Sequence, residues 1–179
     1  MATLPRLLTV LALLSASACV PLGPSDEEVA REAELVVRSL MAGWESGDPA
    51  IIEELFRPDA VYDDFPNQHT YQGVQEIAGY VTALHDWADD VYFNVGDVHV
   101  TRDGAVVEWV FSAVQARPIG SDVTVATGRE VTVNGVTIIQ MEDGLIVRAA
   151  DYMDTQPLML QLGGRLEMPG GSVIELDAR

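Results

Sequence analysis

The chain has 179 residues, 48% of them hydrophobic and 21% charged, which suits one globular domain with a substantial core. A formal net charge of -18 argues against nucleic acid and anionic membrane surfaces as partners, because both demand a basic face. All ten basic residues are arginine, so lysine Schiff-base chemistry and any phosphate loop built on a lysine are excluded as well.

Residues 1–18 read as a secretory signal, with Arg6, an apolar run from Leu7 to Leu14 and the small residues Ala16-Ser17-Ala18. The run is too short to remain as a membrane-spanning helix. The only cysteine, Cys19, follows at once, and the segment resembles a bacterial lipoprotein lipobox. Lipidation of Cys19 as first mature residue therefore stands beside ordinary cleavage after Ala18. Either route exports the mature protein without a disulfide, on a short tether at 19–25.

Ser25 and Glu28 form a capping-box pattern, and Val29, Ala33, Val36, Leu40, Met41 and Trp44 then recur at helical spacing up to Gly47. Asp48-Pro49 opens a short second helix through Ile51, Ile52, Leu55 and Phe56 that stops before Pro58. A short strand follows over 59–66, with Tyr62 and Asp64 on one face and Val61, Asp63 and Phe65 on the other. The loop NQHTYQG leads into a third helix from Gly73 to Trp87, striped by Val74, Ile77, Val81, Leu84 and Trp87. From Val91 onward the chain reads as long strands over 91–100, 105–115, 123–141 and 145–154, with hairpin turns at Asp103-Gly104 and Asp143-Gly144. Alternation continues through Asn134-Gly135, which favours a bulge or bend there over a hairpin. Asp154 reads as the N-cap of a short closing helix, TQPLMLQL, and residues 166–179 as a loosely held tail. Helices first, then a meander long enough to curl, then one helix make an α+β architecture.

The last long strand poses the chemical question. Strict alternation puts Leu145, Val147, Ala149, Asp151 and Met153 on one face, apolar except for Asp151. A carboxylate aimed into an apolar layer must be hydrogen-bonded, protonated or used. Asp151 is thus a candidate acid or base, against the alternative of an aspartate satisfied by backbone donors at a strand end.

The run DGLIVRAADYMDTQPLMLQLG resembles the closing strand and helix of SnoaL-like polyketide cyclases, relatives of limonene epoxide hydrolase and ketosteroid isomerase in the nuclear transport factor 2-like superfamily. FRPDAVYDDFPNQHTYQG is similar to the family's first strand and the loop after it, so the likeness spans about residues 26–165. It implies a cone: a strongly curved antiparallel sheet wrapped around about three N-terminal helices plus a short C-terminal helix, with a deep pocket. It also implies a role for Asp151, which matches the first aspartate of the family's D-Y-x-D motif, the residue that exchanges protons in cyclases and epoxide hydrolases. In the epoxide hydrolases a tyrosine and an asparagine orient a water; Tyr62 matches the first, and Asp64 stands where the amide would be. Asp63 and Asp64 read equally well as solvated loop-edge acids. The arginine and aspartate of epoxide hydrolases are replaced by Trp109 and Phe111, which make that wall apolar and suited to a hydrophobic ligand, with core packing as the alternative, preferred for Phe111.

His69 is a further candidate at a pocket mouth, although a loop histidine is more often a surface group; His85 and Asp86, late in the third helix with Trp87, could touch the same cavity but read rather as a solvated helix end. No motif for a metal, a dinucleotide or a serine or cysteine nucleophile is present, so no cofactor and no metal are expected. Two functions fit. One is a cofactor-free acid/base enzyme performing cyclisation, isomerisation or hydration of a small hydrophobic carbonyl or polycyclic compound; the other is a non-catalytic exported binder of a small hydrophobic ligand. The likeness also implies a possible homodimer through the convex sheet face at Val106, Val110 and Val114.

Overall fold

The computed structural model describes residues 25–121 and 123–175. The secretory signal, Cys19 and all of the tether but Ser25 lie outside the described residues.

Helix α1 (Asp26–Ser46) starts on the expected capping box, where the Ser25 hydroxyl accepts from Glu28 N–H and the Glu28 carboxylate accepts from Ser25 N–H, and it ends at left-handed Gly47. Asp48 caps α2 (Pro49–Leu55) through the Ala50 N–H. Phe56 does not continue that helix as its spacing suggests. It is buried and begins β1 (Phe56–Asp64), in which the register against its neighbour shifts between Phe56 and Val61. Pro58 falls inside that irregular stretch, where no ladder N–H is required of it.

The loop expected at NQHTYQG is a second strand, β2 (His69–Gln72), paired antiparallel with β1, so His69 sits on a sheet edge. Helix α3 (Val74–Trp87) follows, then β3 (Ala88–Thr101), β4 (Gly104–Gln115), β5 (Glu130–Glu142), β6 (Leu145–Met153) and α4 (Thr155–Gln161). The sheet order is β2-β1-β6-β5-β4-β3, with the meander β3 to β6 antiparallel. One pair departs from an all-antiparallel cone: β1 runs parallel to β6. No tight turn joins these two strands, so hairpin geometry does not dictate their direction.

Strand β5 begins later than apolar content alone suggests, because the described residues of the crossing between β4 and β5, 116–121 and 123–129, carry no strand beyond an isolated bridge of Ile119 with Val123. Fully buried Gln115 organises that crossing: its amide donates to the carbonyls of Arg117 and Val125 and accepts from Thr127 N–H and Oγ1. In β6, strict alternation also fails. The register against β5 slips between Gln140 and Met141, Val147 is left without a partner, and Ile146 joins Ala149 among the buried residues. The tail carries a small exposed hairpin, β7 (Leu166–Glu167) with β8 (Val173–Ile174).

Asn134-Gly135 makes neither hairpin nor bulge, since the β4–β5 register runs unbroken from Gly104 opposite Gln140 to Val114 opposite Glu130. The reason for the glycine is close approach. A Cβ on Gly135 would stand 2.1 Å from Cη2 of Trp109, whose indole lies across it.

The core fills the concave side of the sheet. Val36, Val37, Leu40, Met41 and Trp44 of α1, Ile52 of α2 and Ile77 and Val81 of α3 pack against Tyr62, Val107, Phe111, Val131, Val133 and Ile139. Val106, Val110 and Val114 alternate out of this layer and are half-buried.

Candidate functional site

The parallel pairing of β1 with β6 sets the site. Asp64 lies opposite Asp151, and Tyr62 opposite Ala149, so both carboxylates and the Tyr62 phenol stand on one face. On the other flank of β6, Thr137 of β5 lies opposite Asp151 and joins the same face. Tyr62, Asp64 and Thr137 are each at most 1% exposed, and Asp151 is 9% exposed.

Both Asp151 oxygens are engaged. The Tyr62 hydroxyl donates to Oδ2 at 2.7 Å and the Thr137 hydroxyl to Oδ1 at 2.6 Å. The Trp109 indole Nε1–H donates to Thr137 Oγ1 at 2.8 Å. An indole nitrogen can only donate, so the Thr137 hydroxyl accepts from it and must turn its own proton to Asp151. The direction of the chain Trp109 to Thr137 to Asp151 is thereby fixed.

Burial raises the Asp151 carboxyl from its usual 3.8 to about 6. The hydrogen bonds from Thr137 and Tyr62 favour the ionised form and hold the shift down, and the charge of Asp64 adds to it. The Tyr62 phenol is pushed well above its usual value, first by burial and then by the Asp151 charge. Tyr80, on α3, is also held far above its usual range, by burial and then by the charges of Asp151 and Asp64. Its ring meets Tyr62 at 5.7 Å and Trp44 at 5.0 Å, both edge-on, so Tyr80 walls the carboxylates from the helix side.

Asp64 and Asp63 part ways. Asp64 turns inward, where Oδ1 accepts from Asn67 N–H at 3.2 Å and Oδ2 from Asn67 Nδ2 at 2.7 Å. Asp63 turns to the opposite face, where Arg148 and the Thr70 hydroxyl bind it. The reading of both as solvated acids therefore fails for Asp64, whose side chain is buried.

The remaining candidates separate. Trp109 belongs to the Asp151 group. Phe111 lies one step further along the inner face of β4, tilted against Phe93 at 5.2 Å and edge-on to Trp87 at 6.4 Å, inside the core. Trp87 packs there too and takes no part in the hydrogen bonds around Asp151. His69 is exposed on β2, its ring 4.4 Å from that of Tyr71. His85, read as a solvated helix end, is partly buried and its Nε2–H donates to the Trp44 carbonyl. Among the described residues no group of three His, Cys, Asp or Glu side chains is placed to hold a metal ion.

Two grooves adjoin the Asp151 group, one through Tyr80 and the other through Trp109, and neither is lined by Asp151 itself. One, of about 550 Å3, lies between β2 and α3 and includes His69, Tyr71 and Tyr80. The other, of about 610 Å3, includes Trp109, Gly135 and Met153 with Asn94, Glu108 and Tyr152. Tyr80 and Trp109 thus each face a groove on one side and the Asp151 group on the other.

Thr137 and Tyr80 are the partners that sequence reasoning missed. Thr137 is a lone polar residue in the apolar row Val133, Gly135, Thr137, Ile139, the same signal that marks Asp151. Tyr80 stands three residues after Ile77 and four before Leu84, within the α3 stripe.

Solved structures carry the same architecture. TsrD from Streptomyces laurentii is 26% identical with a TM-score of 0.66, covering 74% of this chain and 96% of its own. A Jannaschia protein named for SnoaL-like polyketide cyclases is 17% identical with a TM-score of 0.69, covering 78% and 97%. A Catenulispora acidiphila protein of ketosteroid isomerase-like fold is 20% identical with a TM-score of 0.61, covering 72% and 92%. No curated protein matches the chain. The α+β cone is therefore the ketosteroid isomerase-like, nuclear transport factor 2-like fold. Residues 37–149 match the SnoaL-like domain family, and the chain belongs to that family.

Proposed function

We propose that the protein is a cofactor-free acid/base catalyst of cyclase or isomerase type, acting on a small hydrophobic carbonyl or polycyclic compound by cyclisation, isomerisation or hydration. The observation that carries this reading is a buried carboxyl, Asp151, with a hydroxyl on each oxygen and an affinity for protons raised to about 6. Such a group is ionised at neutral pH yet basic enough to accept a proton from a carbon beside a carbonyl. On taking it, Asp151 becomes a neutral acid and can return the proton at a second position of the same molecule. Tyr62 and Thr137 hold the carboxylate in place between these events, while Asp64 adds negative charge that favours protonation. Family membership supports the same class of chemistry.

The test is deuterium incorporation at the activated carbon of cyclic β-dicarbonyl compounds in D2O, followed by NMR. Asp151→Asn is expected to slow exchange by about 10²–10⁴-fold, the usual worth of a positioned acid or base. Equal exchange by the variant would remove the catalytic reading.

A second reading, a non-catalytic binder of a small hydrophobic ligand, is favoured by Trp109, whose ring on the inner face of β4 gives its groove an apolar wall together with Gly135 and Met153. A ligand recovered chemically intact after long incubation supports it. Export belongs to the proposal in both forms, supported by the secretory pattern ahead of Cys19. Labelling with a palmitate analogue, abolished by Cys19→Ser, tests the lipid anchor, and sedimentation over a dilution series tests a homodimer through Val106, Val110 and Val114.

A further inference from the structure

The groove between β2 and α3 has the chemistry of a recognition site. Its inner wall is a pair of rings: Tyr71 lies flat on Tyr80, centroids 4.3 Å apart at 14°, and His69 leans on Tyr71. Its floor is bare, because Gly79 carries no side chain and a Cβ there would meet nothing within 4 Å. Its rim is polar, with Thr70, Gln72 and Glu76. The Glu76 carboxylate already receives the Gln72 N–H on one oxygen and has acceptor capacity to spare.

These features select a ligand. Flat aromatic walls favour a planar ring system over a branched aliphatic one. A volume of about 550 Å3 holds two or three fused rings. An acceptor-only carboxylate on the rim, in a chain of net charge -18, favours hydrogen-bond donors and repels anions.

We infer that this groove is a binding site for a planar ring compound carrying hydroxyl or amino donors, seated against the Tyr71–Tyr80 pair with its donors on Glu76. Tyr80 is the shared wall between this site and Asp64 and Asp151. A ring bound here lies across the Tyr80 ring from the proton-transfer group, so the inference deepens the acid/base reading and rests on it for its catalytic consequence.

The experiment uses 2-naphthol as probe and naphthalene-2-carboxylate as its anionic counterpart, with binding read by fluorescence and by NMR of the protein. Wild type is expected to bind 2-naphthol at least tenfold more tightly than the carboxylate. Gly79→Leu and, independently, Ala83→Phe fill the groove from exposed helix positions and are expected to weaken 2-naphthol at least tenfold with unchanged circular dichroism. Glu76→Gln is expected to narrow the preference over the carboxylate. Equal binding of the two probes, or wild-type affinity in both groove-filling variants, overturns the inference. If Asp151→Asn keeps full proton exchange while Gly79→Leu loses 2-naphthol, the acid/base reading fails and the groove assignment stands.

Discussion

Replacing Thr137 by valine keeps the shape of the side chain and deletes the hydroxyl that joins Trp109 to Asp151. In the wild type that hydroxyl donates to Asp151 Oδ1 at 2.6 Å, and the acceptor bears the charge. A hydrogen bond to an ionised group contributes about 1.5–3 kcal/mol. Since one pKa unit corresponds to about 1.4 kcal/mol, losing the bond is expected to raise Asp151 by roughly one to two units, from about 6 toward about 7 to 8. The sign is fixed because the bond favours only the carboxylate. A second effect comes with it: the Trp109 Nε1–H loses its acceptor inside the core, costing about 1–3 kcal/mol of stability. The assay is ¹³C NMR titration of aspartate carboxyls, with Asp151→Asn used to assign the resonance, alongside urea unfolding. An Asp151 titration that stays near 6 or moves down in Thr137→Val would refute the directed chain.

Three further outcomes follow from the same contacts. Asp151 binds its proton more tightly folded, about 6, than unfolded, 3.8, so its contribution to stability is fully present below pH 3.8 and lost as pH rises through 6, by about 3 kcal/mol. Urea unfolding of wild type and Asp151→Asn between pH 4 and pH 7.5 should therefore diverge in favour of the variant, and parallel curves would contradict the burial of the charge. Tyr62→Phe removes the donor to Oδ2 and should also raise the Asp151 titration by about one to two units, while an unshifted titration would show the phenol to be a packing group. Gly135→Ala forces a methyl against the Trp109 indole, and is expected to cost about 1–3 kcal/mol and to shift the indole N–H resonance; wild-type stability would mean that the ring has room to move.

Much of this arrangement was legible in the sequence, and the failures have physical causes. The caps on α1, α2 and α4 and the turn at Asp143-Gly144 were read correctly because each depends on a few neighbouring residues. Asp151 stood out because a charge in an apolar row is a local anomaly. What could not be read locally depends on pairing between distant strands. His69 to Gln72 carries no apolar alternation, and only β1 beside it makes it a strand. The slip in β6 moves Ile146 to the inner layer, which periodicity alone cannot anticipate. Asp63 and Asp64 were indistinguishable as neighbours, and their fates were decided by Arg148 on one face and Asn67 with the β6 carboxylate on the other. Gly135 resembled a turn residue until the Trp109 ring explained it.

Titration of the Asp151 carboxyl in the unmodified protein tests the proton-transfer claim most directly. The expected result is a midpoint near 6, well above an ordinary aspartate and close to the pH at which a base must work. A midpoint near 4 would mean that the carboxyl is solvated and ordinary, and that it has no special capacity to move a proton.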